Sequence, residues 1–451
     1  MSDIHAQIAL LPQGTAEDVR VVVAGGRIAN VHVGVAPEPG DERVGLLVPG
    51  AGNVHSHAFQ RAMAGLAEVR GHEADSFWTW RDVMYRFALA MSPDQMEAVA
   101  AQAYVEMLEA GYTRVGEFHY LHHDRDGRPY ADIAEMAGRI CAAAGATGIA
   151  LTLLPVLYAH SGFGGADPLP TQRRFVTGID RFARLHEASR RHVSALNGAI
   201  VGVAPHSLRA VTPHELALAA SIDPAAPVHI HAAEQTREVE DCVAWSGRRP
   251  VEWLIEHAGL DARWCLIHAT HMTEDEAQSL AQSGATAGLC PITEANLGDG
   301  IFMGAEFRAA GGHFAVGTDS NVQIGLVDEL RQLEYSQRLG RRMRNVLSDG
   351  PGSTGLALLH AAHLGGARAL GVPTPAIAEG AAADLVAVDL EQPAFAAARG
   401  DQVLDAWIFS APRSVDQVWV AGEKLVQNGR HVHREAIAAR YVRAVRDLEA
   451  A

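Results

Sequence analysis

The sequence predicts an α/β protein: a (β/α)8 TIM-like barrel joined to a small β-sandwich domain built from both chain ends. Three observations carry this. Short apolar runs rich in β-formers alternate with Ala-rich helical stretches through the middle of the chain. Most of these runs end in polar residues, several of them His or Asp. Both termini instead carry β-branched runs punctuated by Gly turns.

The alternating region holds eight runs, at 45–53, 113–117, 148–157, 199–205, 228–231, 264–268, 285–291 and 314–319. Helical stretches such as 96–110 and 132–144 separate them. A doubly wound open sheet shows the same alternation, but it calls for a Gly-rich phosphate loop after its first strand. Here the first run leads into His55-Ser56-His57, and no GxGxxG follows. At the N-terminal end, 21–33 reads as two strands about Gly25-Gly26. Near the other end, 383–389 (ADLVAVD) and 415–420 (VDQVWV) read as strands, the second followed by a turn at Ala421-Gly422-Glu423. The expected division is 1–47 plus 374–432 as the sandwich, 48–373 as the barrel and 433–451 as a C-terminal helix.

Bulk properties narrow the function. A chain of 451 residues that is 48% hydrophobic and 20% charged has ample material for a large core. A net charge of -16 argues against nucleic acid and anionic membranes as partners, since both need basic patches. Cys141, Cys242, Cys265 and Cys290 lie far apart with no CxxC pair, as expected of a reduced cytoplasmic protein. The N-terminus lacks a basic segment followed by an apolar run, and no stretch approaches the roughly 18 apolar residues of a membrane span.

Barrel active sites sit at the C-terminal ends of the strands. Here those ends carry His55 and His57 (first), His231 with Glu234 three residues on (fifth), His268 (sixth) and Asp319 (eighth). Taken singly, each has an ordinary reading. A strand-end His is commonly a hydrogen-bonded core residue, Asp319 an N-cap and Glu234 a solvated helix start. Taken together, at the strand ends of one barrel, they read as an active site. Alternation along a strand puts His55 and His57 on the same face. Three neutral imidazoles and a carboxylate suit one Zn²⁺, with a further position for water, although imidazole also suits iron, nickel and copper. His55, His57, His231 and Asp319 are the expected ligands. His268 is expected to orient the nucleophile, Asp319 to accept its proton, and Glu234 to pass a proton to a nitrogen leaving group.

The segments PGAGNVHSHAFQ, HIHAAE, LIHATH, GTDSN and ADLVAVD together resemble the amidohydrolase superfamily over essentially the whole chain. Two-metal members bridge their ions with a carboxylated lysine. Lys424 is the sole lysine here and lies far from any barrel strand, so the resemblance is to the mononuclear deaminase branch. Within that branch, HSHAFQRAMAGLAE, SFWTWRDVMY, GEFHYLHH, APHSLRAV and CPITEANLGDGIF are similar to the formiminoglutamate deiminase group of histidine breakdown. The resemblance implies hydrolysis of N-formimino-L-glutamate to N-formyl-L-glutamate and ammonia, by a homodimer. A dianionic substrate calls for separated cations, and arginine's fork suits carboxylate. Arg81 and Arg209 are the candidates, with Gln60, Tyr120 and His206 as further hydrogen-bond partners. Trp78 and Trp80 read as core or wall. His119, His122 and His123, beside Asp124, read as a polar loop rather than a second metal site. The segment 161–165 (SGFGG) reads equally as a mobile lid or a plain turn. Two other functions fit less well: a guanine or adenosine-like deaminase, which needs a slot reading a ring edge, and a metal-free barrel scaffold, which has no use for the ligands.

Overall fold

The computed structural model describes residues 3–70, 77–348, 350–411 and 413–450. Residues 1, 2, 71–76, 349, 412 and 451 lie outside the described residues, and with them the outer limits of the expected end domains and Ser76 of the SFWTWRDVMY stretch.

Two parallel sheets form the centre. One runs Ala51–Ser56, Tyr112–His119, Ala150–Leu157, Ile200–Val201, with Ala204–Pro205 also pairing on the third strand. The other runs Val228–Ala232, Trp264–His268, Thr286–Leu289, His313–Val316. Parallel bridges at Val203–Val228 and Ser207–His231 join them along one edge, and Ser56–Asp319 joins them along the other. With Ile200–Val201 and Ala204–Pro205 counted as one interrupted strand, the eight successive parallel strands are consistent with the predicted TIM-like barrel and bring the predicted site residues to a common end.

The strand bounds differ from expectation in two instructive places. The run at 45–53 is two strands, Glu42–Pro49 in the terminal sheet and Ala51–Ser56 in the barrel. Both halves are buried, so hydrophobicity alone could not separate them. The break falls at Pro49-Gly50, where a Cβ on Gly50 would come within 2.2 Å of the Thr113 side chain. The run predicted from 148 starts at Ala150, because Gly148, at φ 76°, caps the preceding helix Glu135–Thr147. The helix expected at 96–110 spans Pro93–Glu109 and begins with a capping box between Ser92 and Gln95.

The chain ends form one continuous eight-stranded sheet. Glu42–Pro49 lies near its middle, parallel to Ile4–Leu11 and antiparallel to Leu385–Val388. Ile4, Val21, Val44, Leu47, Leu385 and Trp419 pack in a core of their own, separate from the barrel's. Lys424 sits in this sheet, paired with Glu42 and lying over Trp419. The terminal helix, Arg434–Glu449, packs on Pro93–Glu109 through the Arg434–Glu109 and Arg440–Glu97 ion pairs. The helix Thr354–Leu370 packs against the barrel strand His313–Val316, so closely that a Cβ on Gly365 would come within 2.0 Å of the Phe314 carbonyl oxygen.

Candidate metal-centred active site

The strand ends converge as their alternation requires. His55 Nε2 lies 3.2 Å from His57 Nε2 and 3.1 Å from His231 Nε2. The opposite nitrogens settle the tautomers of two rings. His57 Nδ1 donates to the Phe118 carbonyl (2.9 Å) and His231 Nδ1 to the His206 carbonyl (2.9 Å). A carbonyl only accepts, so the proton of each neutral ring is on Nδ1, and Nε2 presents a lone pair to the cluster. Burial holds the pKa of all three histidines below the ordinary value; neighbouring imidazoles add to this at His55 and His231, while Asp319 and the Phe118 carbonyl oppose it at His57. Lone pairs crowded at this distance repel unless a cation sits among them. The donor set therefore fits a divalent metal.

Asp319 completes the cluster. Its Oδ1 lies 3.2 Å from His57 Nε2 and 3.5 Å from His55 Nε2, while Oδ2 is 3.9 Å from His268 Nε2. Its backbone N–H donates to the His55 carbonyl, and its carbonyl accepts from the His57 N–H, each at 2.9 Å. A buried polar chain runs behind it. Asn53 donates to Thr318, Thr318 to Asn321 and Asn321 to Ser56. Ala233, His268, Ala269, Asp319 and Asn321 all have φ between 42° and 69°, the left-handed region that costs non-glycine residues energy. Their clustering at the strand ends is a mark of a functional site.

Glu234 and His268 face each other across the cluster, Oε1 to Nε2 at 3.8 Å. Burial raises the Glu234 pKa to about 7, against the pull of His268 and Arg209. Burial alone would lower His268, but Glu234, a hydrogen bond to Glu294 and Asp319 outweigh it and push its pKa up to about 10. A buried carboxyl group and an imidazole whose pKa values are both raised, facing each other, are equipped for proton transfer.

The cluster opens into a cavity of about 590 Å³, counting its open mouth. All five residues expected to bind substrate, Gln60, Arg81, Tyr120, His206 and Arg209, line it. Gln60 Nε2 donates to Tyr120 Oη at 2.9 Å. The Nε atoms of Arg81 and Arg209 are buried without a protein partner among the described residues. Burial works against the charge on Arg209, but Glu238 and Glu234 raise its pKa. Arg81 lies on helix Phe77–Ala90 with its guanidinium 4.5 Å from the Trp78 ring centre and 5.6 Å from that of Tyr85.

Sequence reasoning missed several wall residues: Tyr85, Tyr158, Phe175 and Leu297. Of these, Tyr158 directly follows a barrel strand end, a position that could have flagged it. It also missed Glu294, whose Oε1 lies 3.2 Å from His268 Nδ1. The declined histidines stay out of the cluster: His122 Nε2 bonds the Val156 carbonyl (2.8 Å) and His123 Nε2 that of Val176 (2.9 Å). At 161–165, Gly164 and Gly165 take φ of 74° and 83°, and Ser161 N–H donates to the Ala166 carbonyl in a closed turn. Cys290 is buried and forms a second metal-capable group with His268 and Asp319.

Comparison with known proteins gives a concordant result. Residues 46–425 match the amidohydrolase family, and residues 1–45 match the N-terminal domain of the formimidoylglutamate deiminase HutF. The chain is 51% identical to the formimidoylglutamate deiminase of Pseudomonas aeruginosa, over 99% of this chain and 100% of that one. It is 30% identical to a 5-methylthioadenosine/S-adenosylhomocysteine deaminase of Halobacterium salinarum, over 85% and 83% of the two chains. The crystal structure of an amidohydrolase from Brucella melitensis superposes with a TM-score of 0.97 at 58% identity, covering 100% of both chains. An adenosine deaminase from Xanthomonas campestris, at 23% identity and a TM-score of 0.84 over 100% and 98% of the chains, shares the fold. The chain belongs to the amidohydrolase family, in the branch of the formimidoylglutamate deiminases.

Proposed function

We propose that the chain hydrolyses the formimino C=N group of N-formimino-L-glutamate, releasing ammonia and leaving N-formyl-L-glutamate, a step of histidine degradation. One observation carries the reading beyond its relatives: two half-buried arginines whose Nε atoms are buried and unpartnered among the described residues line the same cavity as the histidine cluster. A cavity with one reactive pole and two cations suits a small molecule with one amidine and two carboxylates.

His55, His57, His231 and Asp319 are the residues we assign to one Zn²⁺ per chain. When bound, the ion lowers the pKa of a coordinated water toward about 7, so that a nucleophile is available at neutral pH. Asp319 takes the proton released from the attacking water, and His268 orients the attack on the formimino carbon. Glu234 delivers a proton to the imino nitrogen. The carbon becomes tetrahedral and carries a hydroxyl and an amino group. The proton held by Asp319 passes to the amino nitrogen, the hydroxyl proton returns to Glu234 as the formyl C=O forms, the carbon–nitrogen bond breaks, and ammonia departs. Arg81 and Arg209 hold the two carboxylates, and Gln60, Tyr120 and His206 fix the rest of the substrate by hydrogen bonds.

The same reading covers the whole molecule. Residues 1–47 with 374–432 act as a β-sandwich unit, 48–373 as the (β/α)8 barrel and 433–451 as a terminal helix; the separate core of the terminal strands supports this division. The enzyme works in the cytoplasm as a homodimer on a small-molecule partner, without nucleic acid or membrane. The charge of -16 argues against nucleic acid and anionic membrane surfaces as partners; among the described residues no helix is long and apolar enough to cross a membrane.

The test is ammonia release from formiminoglutamate by purified, zinc-loaded protein, with mass detection of the organic product. Ammonia together with N-formylglutamate establishes reaction and substrate. Turnover of guanine or an adenosine-like base, with none of the formimino acid, overturns the substrate and keeps the deaminase chemistry.

A further inference from the structure

The short helix Pro291–Leu297 touches more of the site than any sequence motif announces. Glu294, in its middle, is buried, with Oε1 3.2 Å from His268 Nδ1 and accepting from the Cys290 N–H at 2.9 Å. One residue earlier, the buried Thr293 hydroxyl donates to the Thr318 carbonyl at 3.2 Å and lies 3.0 Å from Ser320 Oγ. These two residues flank Asp319. Just past the helix, the Asp299 N–H donates to the Glu294 carbonyl, and the Asp299 carboxyl group accepts from the side chain of Gln235, next to Glu234. At the other end, the Ile292 N–H donates to the fully buried Glu329 at 2.9 Å, tying the helix to Leu326–Arg341.

We infer that this helix braces the proton-transfer machinery, and that Glu294 is a positioning residue for His268. The inference rests on the function proposed above. Its physical basis is that the three groups sit at the ends of three different strands, on backbone held at positive φ at His268 and Asp319. Their mutual distances are a property of no single strand. A ring whose Nε2 must face both Glu234 and Asp319 can rotate about its side-chain bonds unless Nδ1 is held. The Glu294 carboxyl group holds it, and is itself held by a backbone N–H. Thr293 and Asp299 carry the same rigid segment to the Asp319 and Glu234 loops, so one element sets all three positions. Partners of this kind, placed behind the groups that do chemistry, are typically worth about 10- to 100-fold in activity.

The experiment compares Glu294→Ala, Glu294→Gln and Thr293→Val in the full-length, zinc-loaded enzyme, with kcat, KM and bound metal measured for each. Glu294→Ala is expected to lower kcat about 10- to 100-fold, with KM within about twofold and metal content unchanged. Glu294→Gln keeps an oxygen that accepts from Nδ1–H and recovers most of the loss. The inference is overturned if Glu294→Ala keeps kcat within about twofold of wild type, or if Glu294→Gln is no better than Glu294→Ala. Should Glu294→Ala not fold, Thr293→Val removes one hydroxyl at nearly constant volume. A fall in its kcat supports the brace and an unchanged kcat overturns it. A crystal structure of the Glu294→Ala enzyme supplies a readout apart from activity. A His268 ring turned away from Glu234 supports the inference, and an unmoved ring overturns it. Wild-type protein that released no ammonia from formiminoglutamate would sink the proposed reaction, while the ring position would still decide the brace.

Discussion

Among the described residues, two histidine triplets are buried, and only the first gathers its ring nitrogens closely enough to hold a metal ion. His55, His57 and His231 turn their Nε2 atoms inward to 3.1–3.2 Å, because backbone carbonyls occupy Nδ1 of two of the rings. His119, His122 and His123 are equally buried, and burial lowers the pKa of each. There the carbonyls of Val156 and Val176 take the Nε2–H of His122 and His123 instead, spending the distal nitrogens on loop anchoring. Neither burial nor histidine count distinguishes the triplets. What differs is which nitrogen the backbone occupies, and hence where the lone pairs point.

The largest expected effect tests this contrast directly. His57→Ala or His231→Ala should abolish metal binding and lower turnover by at least about 10³-fold, since in the proposed mechanism the metal would supply the nucleophile. His122→Ala should keep its metal and turnover, and lower stability by about 1–3 kcal/mol as a buried carbonyl loses its partner. Elemental analysis with denaturant melts reads both. Metal loss in His122→Ala would erase the distinction.

Glu234→Gln comes next. It should retain metal and lower kcat by about 10²–10⁴-fold, the usual weight of a general acid or base. Full activity in this variant would remove Glu234 from the proton path. Arg81→Ala and Arg209→Ala should each raise KM by about 10- to 100-fold, corresponding to a charge-assisted hydrogen bond of about 1.5–3 kcal/mol. Unchanged KM in both would rule out the two-carboxylate pocket.

Acid stability sharpens the comparison from the other triplet. Burial pushes the His119 pKa down to about 3, whereas an unfolded histidine titrates near 6.5. Between these values the unfolded chain binds more protons than the folded one. The contribution of neutral His119 is therefore whole above about pH 6.5 and is lost as pH falls toward about 3, at up to about 1.4 kcal/mol per pH unit. His119→Asn should flatten the acid limb of stability against pH; a limb as steep as wild type would contradict the assignment. The smallest effect is expected at Lys424→Met. Removing the only lysine should leave metal content and kcat unchanged and cost no more than about 1 kcal/mol, as for a partly exposed ion pair. Loss of metal would reopen a lysine-bridged centre.

The strand-end chemistry was legible because strand periodicity and barrel polarity are local rules with long reach. Alternation put His55 and His57 on one face, and placement at strand ends picked out His231, His268 and Asp319 without any tertiary information. Glu294 was hidden because CPITEANLGDGIF reads equally well as an ordinary short helix. Its partner His268 is 26 residues away, and nothing local marks the contact. Tyr85 and Phe175 were hidden in the same way, one on a helix and one on a loop, meeting only across the cavity with stacked rings 5.9 Å apart. The merged run at 45–53 failed for a related reason: a strand of the terminal sheet and a barrel strand carry the same apolar signal.

By itself, then, the sequence determined the alternation of strands and helices, and the types and chain order of the residues that meet at the strand ends. All of these follow from side-chain chemistry and backbone periods within a few residues. Only the tertiary structure decided which histidine nitrogen faces inward, that Arg81 and Arg209 meet in one cavity, and that the segment from Pro291 to Asp299 touches residues at three strand ends. Those outcomes depend on packing between segments far apart in the chain, where angstrom-scale distances set by the closed barrel determine which atoms meet.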